Sequence, residues 1–364
     1  MKRKIIMAML LCFTFSVVVG CAEKREEAQN LLNKYADANL HEMTTFAMDT
    51  VMLFTLYHED GEEILTDAEQ EIRRLESLFS VTIEDSEISK LNAHSGLDSV
   101  KLSGDTEEVL KRGKEIGELT NQAFDIAISP VVKAWGFTTD GEKHVPTQET
   151  LENLLPLTSI EDLVIDENAS MAKLTKKGMA VDLGGIAKGY ASDKIASLLK
   201  EKGVTSGLFS LGGNIGAIGT KPNGENWNVA IENPLNANDY VGLLSIQDCF
   251  VITSGGYQRY FEENGKRYHH IIDSNTGYPA DKGLLSVTII SKDGAKADGL
   301  STALFVMGLD QAVQLWRSSN DFEAVFITED GRVIATEGAA SFFSFEGRDN
   351  DFKYEIVKRR GGVQ

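Results

Sequence analysis

Lys296-Ala-Asp-Gly-Leu-Ser-Thr-Ala-Leu-Phe-Val-Met-Gly308 is the stretch from which the rest of the chain is best read. From Ala297 onward, Leu300, Ala303, Leu304 and Met307 recur at helical spacing, and Gly308 stands where a left-handed cap ends a helix. Asp298 and Thr302 lie four apart, so a helix stacks them on one face. A carboxylate and a hydroxyl so placed offer two oxygen ligands to a hard cation such as Mg2+, which completes its shell with phosphate and water. The same pair also suits local work, with Asp298 capping the helix start and Thr302 bonding back to a carbonyl.

Working outward, residues 285–291 read as a strand leading into this helix, 310–317 as a helix, and 324–327 with 333–336 as a hairpin around Glu329-Asp-Gly331. Residues 347–364 read as a polar, expendable tail. Towards the N-terminus, Met179-Ala-Val-Asp-Leu-Gly-Gly-Ile-Ala-Lys-Gly189 is a strand that runs into glycines and then a helix over 186–202. Such a helix start leaves N–H groups that can meet phosphate, although the run is neither a Walker loop nor a GxGxxG fingerprint, and a tight turn stays open beside ligand contact. Leu208-Phe-Ser-Leu-Gly-Gly-Asn-Ile-Gly-Ala-Ile-Gly219 reads as a strand broken by Gly212 and Gly213, where a ligand or another backbone can approach. Residues 227–232 and 242–247 read as strands, while Ile252-Thr-Ser-Gly-Gly-Tyr-Gln-Arg-Tyr-Phe261 and Tyr268-His-His-Ile-Ile-Asp-Ser-Asn-Thr-Gly-Tyr-Pro279 gather polar groups around turns. In the first half, order is expected from Thr44, with a strand over 45–57, a capped helix from Thr66 to Phe79, a turn-rich segment over 85–92, helices over 105–120 and 147–155, and strands over 163–165 and 172–175. No repeat and no low-complexity linker interrupts this order. The expectation is an α+β fold, a single compact domain of mixed sheet and packed helices over 44–346.

Residues 1–20 stand apart as an export leader: Lys2, Arg3 and Lys4 precede an apolar run over 5–19 that is short for a permanent membrane span. It ends in Val18-Val19-Gly20-Cys21, which resembles the lipobox of bacterial lipoproteins and implies a chain beginning at a lipidated Cys21, with residues 21–43 as a tether. Several acyl chains at one residue hold a domain at a membrane far more firmly than one. Removing the leader leaves 33 of the 36 basic residues against 55 acidic ones, a net charge near −22, so nucleic acid is not an expected partner. Cys249 is then the one cysteine besides Cys21, and it reads as a buried strand thiol in a chain long enough to depend on its core rather than on disulfides.

Four pieces, Ala123-Phe-Asp125, Asp182-Leu-Gly-Gly-Ile-Ala-Lys-Gly189, His270-Ile-Ile-Asp-Ser-Asn-Thr-Gly277 and Asp298 with Thr302, together resemble the ApbE family of Mg2+-dependent FAD:protein FMN transferases, in family order and spacing. The likeness covers roughly residues 45–343. It implies a T-fold-like core with one FAD site, and transfer of the FMN half of FAD to a threonine or serine hydroxyl of an exported flavoprotein, with release of AMP. It implies Mg2+ held by Asp298, Thr302 and the Gly185 carbonyl, and FAD held by Asp182 and Lys188 in a pocket lined by Met48, Ala123, Phe124, Asp125, His270 and Ile271. Thr82 stands where many members carry tyrosine, at the expected ring-stacking position, and Ser274 replaces the usual proline of the His-Ile-Ile-Asp-Pro run.

The chemistry accounts for these residue types. Splitting a pyrophosphate places charge on phosphoryl oxygens, which a divalent ion and a lysine stabilise. Attack by a hydroxyl needs a base, for which His270 is the candidate and His269 the rival, with Asp273 orienting either the turn or the imidazole. An FAD pyrophosphatase giving FMN and AMP, and a non-catalytic FAD-binding lipoprotein, are the alternatives. The expected setting is extracytoplasmic, at a bacterial membrane through the lipid anchor.

Overall fold

The computed structural model describes residues 39–138, 142–347 and 352–360, so the leader, Cys21 and most of the tether lie outside the described residues. Strands β1 (Leu40–Ala47) and β2 (Thr50–Tyr57) form a hairpin where the composition suggested one strand. Met48 and Asp49 make its two-residue turn with φ of 48° and 57°, the left-handed conformation that matches hairpin twist. The sheet thus begins at Leu40, inside the segment read as tether, because His41, Met43 and Thr45 alternate inward beneath a helix. That helix, α1 (Gly61–Phe79), buries Ile64, Leu65, Ala68, Ile72, Leu75 and Phe79. The segment read as turn-rich is instead a short helix, α2 (Glu87–Ala93), capped by Ser86 and pinned by fully buried Ile88 and Leu91.

Next come β3 (Val100–Lys101), α3 (Gly104–Leu119), α4 (Ser129–Ala134), α5 (Gln148–Leu154), β4 (Leu163–Asp166) and β5 (Met171–Leu174), with the three strands in a small sheet of order β3-β5-β4. The site-bearing half follows: α6 (Ala187–Glu201), β6 (Ser206–Leu211), β7 (Asn214–Gly219), β8 (Trp227–Asn233), β9 (Asn236–Ile246), β10 (Phe250–Gly255), β11 (Tyr260–Glu263), β12 (Lys266–His269), β13 (Leu284–Ser291), α7 (Gly294–Met307), α8 (Leu309–Ser318), β14 (Phe322–Thr328), β15 (Arg332–Thr336), β16 (Phe343–Phe345) and β17 (Lys353–Val357).

Nine strands in the order β1-β2-β6-β7-β10-β13-β14-β15-β17 make the central sheet. All its pairs are antiparallel except β15–β17. Alternate residues of the middle strands enter two cores. Val287, Ile289, Ala324 and Phe326 pack beneath helices α1, α6 and α7, whereas Ile290, Val325 and Ile327 pack against a sheet of order β16-β9-β8 that covers the opposite face. Burial on both sides explains why β13 reads as nearly continuous apolar sequence. The expected α+β arrangement of mixed sheet and packed helices is what forms.

Four further readings change. Gly212 and Gly213 do not break a strand for a ligand; with φ of 61° and 94° they turn β6 back into β7. The tail read as expendable contributes β17, with Phe352 and Val357 buried and Arg359 Nη1 donating to the Trp316 carbonyl. Gly308 ends α7, but its φ of 80° and ψ of 169° lie in the extended positive-φ region open to glycine rather than in the left-handed cap. Cys249 precedes β10 half-buried, with burial and then Asp248 pushing its thiol up to about 11.

Candidate active site

Helices α6 and α7 cross with almost no side chain between them. A Cβ on Gly189 would lie 2.2 Å from the Gly294 carbonyl oxygen, and one on Gly294 would lie 2.5 Å from the Gly189 carbonyl oxygen. The crossing is fixed by reciprocal capping. Asp298 on α7 accepts from the Gly189 N–H of α6 at 2.8 Å, while Asp193 on α6 accepts from the Gly294 and Ala295 N–H groups of α7 at 2.7 and 2.9 Å. Each carboxylate thus serves free donors in the other helix's first turn, where the helix dipole favours negative charge. Asp298 does not cap its own helix; Asp293 does, accepting from Lys296 N–H at 2.8 Å.

The bend before α6 meets the other half of the Asp298 face. A Cβ on Gly185 would stand 2.9 Å from the Phe124 ring and 3.8 Å from Thr302 Oγ1, so only glycine brings this backbone so close. Thr302 does not bond back along its helix, and its hydroxyl instead contacts Ser254 Oγ of β10 at 3.2 Å. Asp298 is 5 % exposed, and among the described residues its Oδ1 has no hydrogen-bond partner. Nor do the described residues contain any group of three or more His, Cys, Asp or Glu side chains that could hold a metal. The Asp298 carboxylate and the Thr302 hydroxyl, with the Gly185 backbone beside Thr302, are hard oxygen donors of the kind that suit Mg2+.

Beside this face lies a charged group. Asp182 Oδ1 accepts from Gly184 N–H at 2.8 Å, and burial pushes its carboxyl up against that bond and the charges of Arg259 and Lys188. Lys188 Nζ donates to the Gly184 carbonyl at 3.2 Å. Arg259, which the sequence reading did not single out, donates from Nη2 to the Phe137 carbonyl at 2.8 Å. Its own carbonyl accepts from His270 Nδ1 at 3.1 Å, which fixes the tautomer with Nε2 as the free acceptor. Burial, then the charge of Arg259, lowers the His270 imidazole to about 4, so the ring is neutral at pH 7. His269 has both ring nitrogens hydrogen-bonded to main chain: Nε2 donates to the Ala280 carbonyl at 3.0 Å and Nδ1 accepts from the Ile271 N–H at 3.3 Å.

Asp273 organises the turn, accepting from Asn275 N–H and Nδ2 at 2.9 and 3.1 Å. Ser274 uses the hydroxyl that a proline would lack to donate to the Gln122 carbonyl at 2.7 Å, tying this turn to the 123–125 segment. There Asp125 Oδ1 accepts from Ala127 N–H at 2.7 Å, Oδ2 is buried without a hydrogen bond, and burial pushes the carboxyl up to about 7. The same segment reaches the charged group through Ile126, whose carbonyl accepts from Asp182 N–H at 2.8 Å. Phe124 and Ile271 are buried and Ala123 packs on the core. Met48 lies on the β1–β2 turn, its side chain packed on the core and its N–H bonded to Glu76 at 2.7 Å, and Thr82 is exposed beyond α1, paired with Ser80 at 3.0 Å. No hydrogen bond among the described residues joins either to the cluster.

Comparison with known proteins fits this geometry. The model of the ApbE family matches residues 48–326. The chain belongs to the ApbE family. A relative from Klebsiella pneumoniae (strain 342) named FAD:protein FMN transferase is 33% identical over 310 residues, covering 85% of this chain and 96% of that protein. One of the same name from Treponema pallidum (strain Nichols) is 35% identical over 295 residues, 77% of this chain and 80% of its own. The crystal structure of the ApbE protein from Thermotoga maritima superposes with a TM-score of 0.78 at 32% identity, covering 83% of this chain and 99% of that one. This ApbE family chain thus shares its fold and most of its length with proteins named for flavin transfer.

Proposed function

We infer that this chain is an Mg2+-dependent FAD:protein FMN transferase, exported and held at a membrane by lipid on Cys21. The single observation that carries the reading is the meeting of the Asp298–Thr302 face with the Gly185–Gly189 bend, because it brings a carboxylate and a hydroxyl against a glycine backbone beside a helix N-terminus. The names of the relatives support flavin transfer. Asp298, Thr302 and the Gly185 carbonyl would hold Mg2+, which when bound supplies charge stabilisation at phosphoryl oxygens.

The protein's own groups do the rest. Lys188 and Arg259 balance the charge of the substrate's phosphates, and Asp182 sets the Gly184 N–H at the bend. The acceptor's hydroxyl oxygen forms the new bond to the FMN phosphorus, the bond from that phosphorus to the bridging oxygen breaks, and AMP leaves with its electrons. His270 Nε2 takes the hydroxyl proton, since Nδ1 is committed to the Arg259 carbonyl. Among the described residues no helix is long and apolar enough to cross a membrane; attachment in this reading is by the lipid at Cys21.

Incubating the protein with FAD and Mg2+, with and without an exported flavoprotein subunit, tests the reading through AMP release and in-gel flavin fluorescence. AMP together with a fluorescent acceptor band is expected. AMP without a labelled band would make it a pyrophosphatase, and no AMP under either condition would make it a binder.

A further inference from the structure

We propose that Ser254 and Ser301 are positioning residues that aim the Thr302 oxygen at the divalent ion, an inference that rests on the metal reading above. Proton counting carries it. Ser301 Oγ donates to the Asp298 main-chain carbonyl at 2.8 Å, an atom that can only accept. A hydroxyl has one proton, so in its 2.7 Å contact with Ser254 Oγ it is Ser301 that accepts and Ser254 that donates. With the Ser254 proton used there, the 3.2 Å contact between Ser254 and Thr302 is one in which Thr302 donates. The Thr302 hydrogen is thereby drawn into the protein, and its lone pairs are left for a ligand.

The consequence is chemical. A threonine inside a helix otherwise tends to donate to a carbonyl of its preceding turn, and a freely rotating hydroxyl can present hydrogen, not oxygen, to a cation. Here the Asp298 carbonyl in that preceding turn is already taken by Ser301, which is fully buried. Ser254 is held in β10 by pairing with β13, where it faces Val287. The strand therefore sets the polarity of an oxygen ligand carried by the helix above it, as outer-sphere partners do at metal sites.

Mn2+ is the probe, its free concentration read by electron paramagnetic resonance during titration of the protein with and without FAD, alongside thermal unfolding. Ser254→Ala is expected to weaken Mn2+ binding about 10-fold. Ser254→Cys, which keeps the shape but has a weak acceptor, should match it, and Ser254→Thr should restore binding. In a Thr302→Ala background, Ser254→Ala should change Mn2+ binding no further. The inference is overturned if Ser254→Ala binds Mn2+ as the wild type does, or loses the same factor in the Thr302→Ala background. Asp298→Asn separates the two levels. Mn2+ binding that survives it overturns the metal reading and this inference together, whereas loss in Asp298→Asn with no change in Ser254→Ala overturns only the orienting role.

Discussion

Gly189→Ala tests whether the helix crossing builds the site. The new methyl would lie 2.2 Å from the Gly294 carbonyl oxygen and 2.5 Å from Asp298 Cβ, while ordinary contact begins at 3.4 Å. Both neighbours are main chain or the stem of a short side chain, so the helices must part by roughly 1 Å. That displacement falls on the 2.8 Å bond from Gly189 N–H to Asp298 and carries it beyond hydrogen-bond range. Overpacking costs about 1–3 kcal/mol, and loss of a charged hydrogen bond about 1.5–3 kcal/mol. The helix preference of alanine returns about 0.5–1 kcal/mol. The net loss of about 2–5 kcal/mol corresponds to a fall of about 3–8 °C in the unfolding midpoint of a domain of this size. A matched control is Gly104→Ala at the start of α3, where nothing lies within 4 Å of the added methyl and the midpoint should hold or rise. Thermal unfolding and AMP release would be measured for both. Wild-type melting and turnover in Gly189→Ala would refute the reasoning.

His270→Ala should keep FAD binding and lose transfer by about 100-fold or more; normal transfer would show that another group is the base. In the wild type, kcat/KM should stay level with respect to this group from pH 8 down to 6 and fall only as pH drops through about 4, because protonation there occupies Nε2. Asp125, raised to about 7 by burial, holds a proton in the folded chain that the unfolded chain has lost, so its contribution to stability declines as pH rises from the ordinary carboxylate range through 7. Asp125→Asn removes that decline, and its midpoint relative to wild type should climb between pH 5 and pH 8; parallel curves would contradict the buried carboxyl. Truncation after Glu346 strips β17 and exposes the surface that Phe352 and Val357 cover, a loss of about 3–6 kcal/mol. An unchanged denaturant midpoint would show the strand to be dispensable.

Local pattern revealed the elements that local pattern specifies. The spacing of Leu300, Ala303 and Leu304 marks α7, and the four-residue interval between Asp298 and Thr302 puts their side chains on one face of it. Two-residue turns were harder to read, because Met48–Asp49 and Gly212–Gly213 join strands of similar composition and leave no loop to mark the reversal. The Asn264–Gly265 dipeptide between β11 and β12 was a turn signal open to use. The short helix α2 announced itself only through Ser86 and the pair Ile88 and Leu91. Ser254 and Arg259 carry no local mark of their roles, since strand pairing brings one beneath Thr302 and tertiary packing sets the other beside Asp182 and His270. The glycine-rich run over 184–189 reads as a helix start open to phosphate, whereas the missing side chain of Gly189 serves a helix crossing and its N–H serves a carboxylate.

Single-turnover AMP release from saturating FAD in the presence of an acceptor flavoprotein subunit, followed over a Mg2+ titration in wild type and Asp298→Ala, addresses the proposed site most directly. The wild type should rise from no release in EDTA to full release with Mg2+, and Asp298→Ala should bind FAD yet release almost no AMP at any Mg2+ concentration. Release that is equal in EDTA and Mg2+, or equal in the two proteins, would contradict a metal site on the Asp298–Thr302 face.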